Sequence, residues 1–155
     1  MSARRVSMPL LLVSLILVSP ALVAQEKVLT PDLILGLKQI VGAQLSPDGA
    51  RIAFQVARPR ADDEKPGGAI SEIWIVPTKG GEPYRFTQND KSDRAPQWSP
   101  DGRTIAFLSQ RGESAHTQIY LIRIDGGEAS QLTKAENSVL SFKWSPDGSR
   151  IGYTV

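Results

Sequence analysis

Short apolar runs alternate with polar, glycine-rich punctuation along most of the chain. Arg51-Ile52-Ala53-Phe54, Ile73-Trp74-Ile75-Val76, Thr104-Ile105-Ala106-Phe107, Ile119-Tyr120-Leu121-Ile122 and Arg150-Ile151-Gly152-Tyr153 are rich in β-branched and aromatic residues. Runs of this length and composition, bounded by turn residues, predict strands. Ser-Pro-Asp-Gly introduces three of them, at Ser46–Gly49, Ser99–Gly102 and Ser145–Gly148. The other two lead into a glycine pair and then a second short polar–apolar stretch. These are Gly80-Gly81-Glu82 before Arg85-Phe86-Thr87, and Gly126-Gly127-Glu128 before Gln131-Leu132-Thr133.

The recurrence is an internal repeat. Ser46 to Ser99 spans 53 residues, whereas Ser99 to Ser145 and Gly80 to Gly126 each span 46. The 7 extra residues of the first copy fall between Phe54 and Gly80, where Arg58 to Ser71 is polar and rich in proline and glycine. That composition predicts a lengthened loop. In Ser-Pro-Asp-Gly the proline presets φ at the first turn position, the aspartate tolerates the second, and the glycine takes positive φ. The expected product is a hairpin with a type I turn and a bulge. Each repeat then holds about four short strands at the period of a propeller blade.

The predicted fold is all-β, a partial β-propeller of two complete blades and the start of a third. Blade 1 is expected at about 39–90, blade 2 at about 91–137 and the opening of blade 3 at 138–155. A propeller closes with roughly 4–8 blades, so the chain reads as a fragment of one. Trp98 and Trp144 precede their turns at equivalent positions, with Leu45 in that place in the first copy. A large apolar residue repeated once per blade predicts packing between neighbours, at roughly 4–6 kcal/mol for each tryptophan as an upper bound.

The first 38 residues break the pattern. Arg4 and Arg5 precede the apolar stretch Pro9 to Val18, Pro20 interrupts it, and Ala21-Leu22-Val23-Ala24 follows. This is the layout of a secretory signal over 1–24 with cleavage after Ala24, the alternative being an uncleaved anchor. No cysteine follows the apolar run, which excludes a lipoprotein anchor. Residues 25–38 form an N-terminal segment in which Thr30-Pro31-Asp32 caps a short helix through Leu37. The expected location is export to the periplasm or beyond, with no membrane association once the signal is removed.

Charge changes the picture only by being local. Arg4 and Arg5 account for the whole formal charge of +2 behind the pI near 9.0. The remainder is balanced, so no phosphate-tracking surface and no nucleic-acid partner are expected. With no cysteine in the chain, disulfides, metal thiolates and cysteine nucleophiles are excluded.

Catalytic chemistry finds no foothold. Gly112-Glu113-Ser114-Ala115-His116 departs from Gly-x-Ser-x-Gly at its last position and links two strands, whereas a nucleophile elbow joins a strand to a helix. Asp62, Asp63 and Glu64 have no metal-ligand spacing and are flanked by Arg60 and Lys65. Gly67-Gly68 and Gly80-Gly81 are turns, lacking the phosphate-loop pattern. The expectation is no catalytic, no cofactor-binding and no metal residue, and no cofactor.

The unit Trp-Ser-Pro-Asp-Gly-x-x-Ile-Ala-Phe, then Ile-Tyr-Leu-Ile and Asp-Gly-Gly-Glu-x-x-Gln-Leu-Thr, resembles the WD-like propeller repeats of two bacterial groups. One is the acylaminoacyl and dipeptidyl peptidase branch of the prolyl oligopeptidase family; the other is the TolB-type periplasmic propeller. TolB-like proteins place an α/β domain before the propeller, and only 21 residues separate Gln25 from Ser46. The peptidases open with a short helical segment like Leu29-Thr30-Pro31-Asp32-Leu33. That resemblance implies a non-catalytic propeller gating peptide access to an α/β-hydrolase domain that this chain does not include. Its implied partners are peptide substrates, the remaining blades and that domain. The alternative is a TolB-like binding propeller without enzymatic activity.

Overall fold

A computed structural model describes residues 38–112 and 115–155. The expected signal, the helix at Thr30–Leu37 and Ser114 lie outside the described residues. The rest is built of ten antiparallel strands in three sheets. β1 (Gln39–Leu45), β2 (Arg51–Arg58), β3 (Ile70–Pro77) and β4 (Tyr84–Arg85) form the first sheet in that order. β5 (Asp93–Trp98), β6 (Thr104–Ser109), β7 (Gln118–Arg123) and β8 (Ser130–Gln131) repeat it. β9 (Ser141–Trp144) and β10 (Ile151–Thr154) begin a third. The fold is an all-β partial propeller, with blades 1 and 2 four-stranded and blade 3 opened.

Each Ser-Pro-Asp-Gly motif forms the same turn. Gly49, Gly102 and Gly148 take φ of 68°, 69° and 72°, left-handed values that favour glycine. In the first turn Gly49 N–H donates to the Ser46 carbonyl at 2.9 Å, and Ser46 Oγ donates to Asp48 Oδ1 at 2.6 Å. Ala50 N–H donates to the same carboxylate and Arg51 N–H to Ser46 Oγ. The turns also stack across blades: a Cβ on Gly102 would meet Pro47 Cδ at 3.6 Å, and one on Gly148 would meet Pro100 Cδ at 3.4 Å.

The outer strands are shorter than the sequence suggests, at two residues each. The cause is a threonine that takes over the ladder. Phe86 N–H donates to the Ile73 carbonyl, but Ile73 N–H turns to Thr87 Oγ1 at 3.1 Å. Leu132, Ile119 and Thr133 repeat the arrangement, with Ile119 N–H to Thr133 Oγ1 at 2.9 Å.

The core lies between the blades. Ala53, Ile73 and Ile75 of blade 1 meet Trp98, Ile105, Phe107, Tyr120 and Ile122 of blade 2. Ala106, Leu108 and Ile119 meet Val139 and Phe142 of blade 3. Trp98 is buried and its Nε1 donates to the Gln44 carbonyl of blade 1 at 3.1 Å, so it joins neighbouring blades as expected. Trp144 packs against the second cluster, yet its buried Nε1 has no acceptor. Leu45 is exposed, with Ile40 and Val41, on the open flank of blade 1.

Candidate functional site

The ends of the blades where β2–β3, β4–β5 and β6–β7 are connected collect the polar chemistry. In blade 1 the lengthened loop is tied to the sheet by one arginine. Arg58 pairs with Glu64 at 2.7 Å and with Glu72 at 2.8 Å, while Arg85 approaches Glu72 at 3.1 Å. Trp74 Nε1 adds a hydrogen bond to Glu72 at 3.3 Å. The Arg58 guanidinium, helped by the Ala61 N–H, holds the Glu64 carboxyl down to about 2. The same two carboxylates raise Arg58 further. Arg58, the last residue of β2, pairs with Ile70, the first of β3, so the strands invade the segment predicted as loop and leave 59–69 as its excursion.

Blade 2 carries a buried ion pair. Asp93 is fully buried and pairs with Arg111, while Asn89 Nδ2 donates to the same carboxylate oxygen at 2.6 Å. Asp93 Oδ1 has no partner. Arg111 lies over Phe107 at 5.0 Å and over Tyr120 at 5.5 Å. The Tyr120 hydroxyl donates to the Arg111 carbonyl at 2.7 Å, and burial raises its pKa. A groove of about 480 Å³ runs between blades 1 and 2 past Phe86, Gln88, Arg111 and Glu128.

A second cavity, of about 320 Å³, opens where the three connections meet. Arg60, Lys91 and Arg94 line it with Ser92, Ser109, Gln110 and Thr117. Arg94 comes from β5, the first strand of blade 2, and donates to Thr117 Oγ1 at 3.2 Å. No acidic residue lines the cavity. A charge-balanced sequence gives no sign of this convergence, because Arg60 lies in the β2–β3 connection while Lys91 precedes β5 and Arg94 lies in it.

The residues weighed for catalysis fall where loops fall. Gly112 and the exposed His116 lie between β6 and β7. Asp62 and Asp63 are exposed, and Glu64 is engaged by Arg58. Among the described residues no group of three or more His, Cys, Asp or Glu is placed to hold a metal ion. No described helix is long and apolar enough to cross a membrane.

Comparison with known proteins agrees with this architecture. The peptidase YuxL of Bacillus subtilis is 39% identical over 91 residues, covering 58% of this chain and 13% of that protein. Dipeptidyl-peptidase 5 of Porphyromonas gingivalis is 35% identical over 86 residues, covering 56% of this chain and 12% of that one. The matched regions are thus about an eighth of these relatives' length. Among solved structures, the β-propeller domain of the trilobed protease from Pyrococcus furiosus superposes with a TM-score of 0.58. It is 20% identical, and the match covers 75% of this chain and 34% of that one. The family model of the TolB β-propeller domain matches residues 33–155, and the chain belongs to that family.

Proposed function

We propose that this chain is the non-catalytic, N-terminal propeller portion of an exported serine peptidase, and that it limits access to an α/β-hydrolase domain to short or unfolded peptides. The observation that carries this reading is the 39% and 35% identity of its blades to two peptidases. The residue inventory supports the division of labour. The chain has one histidine, His116, and it lies in an exposed inter-strand segment. A serine hydrolase needs a base held beside its nucleophile and oriented by a third group.

The test uses the full-length protein and the 155-residue chain side by side. A fluorophosphonate probe should label the former on serine and leave the latter unlabelled, and only the former should cleave short peptides. Absence of labelling in the full-length protein would overturn the peptidase reading. It would favour a binding propeller, which the match to the TolB domain family supports as the second reading.

A further inference from the structure

We infer that the cavity at the loop end between blades 1 and 2 is a receptor for a peptide carboxylate, held by Arg60, Lys91 and Arg94. The inference rests on the peptide-handling role proposed above. Its first support is charge. Arg60 from the β2–β3 connection meets Lys91 and Arg94 from the start of blade 2, and the three cations line a single volume of about 320 Å³ with no acid among them. None of the three forms a salt bridge among the described residues, whereas Arg58, Arg85, Arg111 and Arg123 all do. Asp63, Glu64 and Asp90 border the neighbouring cleft, which shares Arg60 and Lys91. The unshared cation is therefore Arg94.

The second support is the state of the hydroxyls. Ser71 N–H donates to Ser92 Oγ at 3.1 Å, and Arg111 N–H donates to Ser109 Oγ at 3.2 Å. Thr117 Oγ1 accepts from Arg94 at 3.2 Å. Each oxygen already accepts a hydrogen bond, and none donates to a protein acceptor among the described residues. Gln110, whose Nε2 donates to the Ala115 carbonyl, adds one amide oxygen as an acceptor, but three cations and three hydroxyl protons outnumber it and make the wall mainly a donor surface. An oxyanion satisfies it and a cation does not. Guanidinium groups match a carboxylate with paired N–H donors, and the site lies near the inner strand of the blade, where a propeller opens onto its channel.

The experiment is an NMR titration of the full isotope-labelled chain, followed on the amides of Ser92, Ser109 and Thr117. Four probes are used: an acetylated Ala-Ala-Ala free acid, its C-terminal amide, an amidated Ala-Glu-Ala, and inorganic phosphate. The free acid should shift these amides and the plain amide should not. A response to amidated Ala-Glu-Ala as well assigns the site to acidic side chains in addition to chain ends. Arg94→Gln should weaken binding roughly tenfold, the loss of one charge-assisted hydrogen bond. Lys91→Gln, at an exposed side chain, repeats the test should the first variant not fold. Equal shifts with the plain amide would overturn the inference, and a response to phosphate alone would reduce the site to an adventitious ion only. Serine labelling reads the peptidase proposal separately: a labelled protein with no carboxylate response fells this site and leaves that reading standing.

Discussion

Ala95 adopts φ of 52°, the left-handed conformation, and its N–H donates to Gln55 Oε1 of blade 1 at 3.1 Å. The equivalent residue in blade 1 is Gly42, at φ of 75°, and both mark a break in strand register. A side chain in that region costs roughly 1–2 kcal/mol, and glycine returns roughly 0.5–1 kcal/mol through the freer unfolded chain. Ala95→Gly should therefore stabilise by about 0.5 kcal/mol, read as a slightly higher denaturation midpoint; an unchanged or lower midpoint would place the strain elsewhere. Gly102→Val acts in the opposite sense. It sets a β-branched residue at φ of 69° with Pro47 at 3.6 Å, and should cost about 2 kcal/mol or more. Gly49→Val, at φ of 68° with no neighbour within 4 Å, should cost measurably less, and equal losses in thermal melts would remove the inter-blade contact from the explanation. Glycine conformations were legible because Ser-Pro-Asp-Gly carries its own turn chemistry. Ala95 was not, since alanine gives no signal of positive φ.

Among the elements, the three Ser-Pro-Asp-Gly turns share an electrostatic anchor. Serine hydroxyls donate to Asp48, Asp101 and Asp147 at 2.6 Å in each case. A backbone N–H two residues further on adds a second bond. These bonds favour the carboxylate, so all three pKa values lie below the usual aspartate range, with Asp147 down to about 2 under the added pull of Ser149. A lowered folded-state pKa contributes stability above the unfolded value and loses it as pH falls through the folded one. The contribution should be complete above about pH 5 and lost toward pH 2. The gap in melting temperature between the parent chain and Asp147→Asn should accordingly be constant from pH 7 to 5 and narrow below pH 4. A gap indifferent to pH would mean that shape rather than charge anchors the turn. The turns and most strands could be read from local sequence. The two-residue outer strands could not, because Thr87 and Thr133 replace ladder carbonyls only after tertiary contact brings them to Ile73 and Ile119. Nor could Asp93 be foreseen as buried. The matching positions in the other blades are Ile40 and Val139, and its charge is tolerated only through Arg111 and Asn89.

At the scale of the whole molecule the blades are coupled mainly through the faces they turn to each other, and the two repeated tryptophans test that coupling in opposite ways. Trp98 is buried in the first inter-blade cluster and spends its indole N–H on the Gln44 carbonyl of blade 1. Trp144 occupies the equivalent place one repeat later, but its Nε1 is buried without an acceptor. Blade 2 instead reaches blade 3 through Gln97 Nε2, which donates to the Phe142 carbonyl at 2.7 Å. An unmade buried hydrogen bond costs about 1–3 kcal/mol, and a made one contributes about 1 kcal/mol net. Trp98→Phe removes a satisfied donor, strands an acceptor and leaves a void, so it should destabilise by about 2 kcal/mol. Trp144→Phe loses similar ring area but also relieves an orphan donor, so the terms offset and the change should be within about 1 kcal/mol of neutral. Denaturant midpoints of the two variants against the parent chain decide it. Equal destabilisation would show that tryptophan joins blades by area alone, whereas a larger loss at Trp98 would show that the Gln44 hydrogen bond distinguishes the seam between blades 1 and 2 from the one that follows.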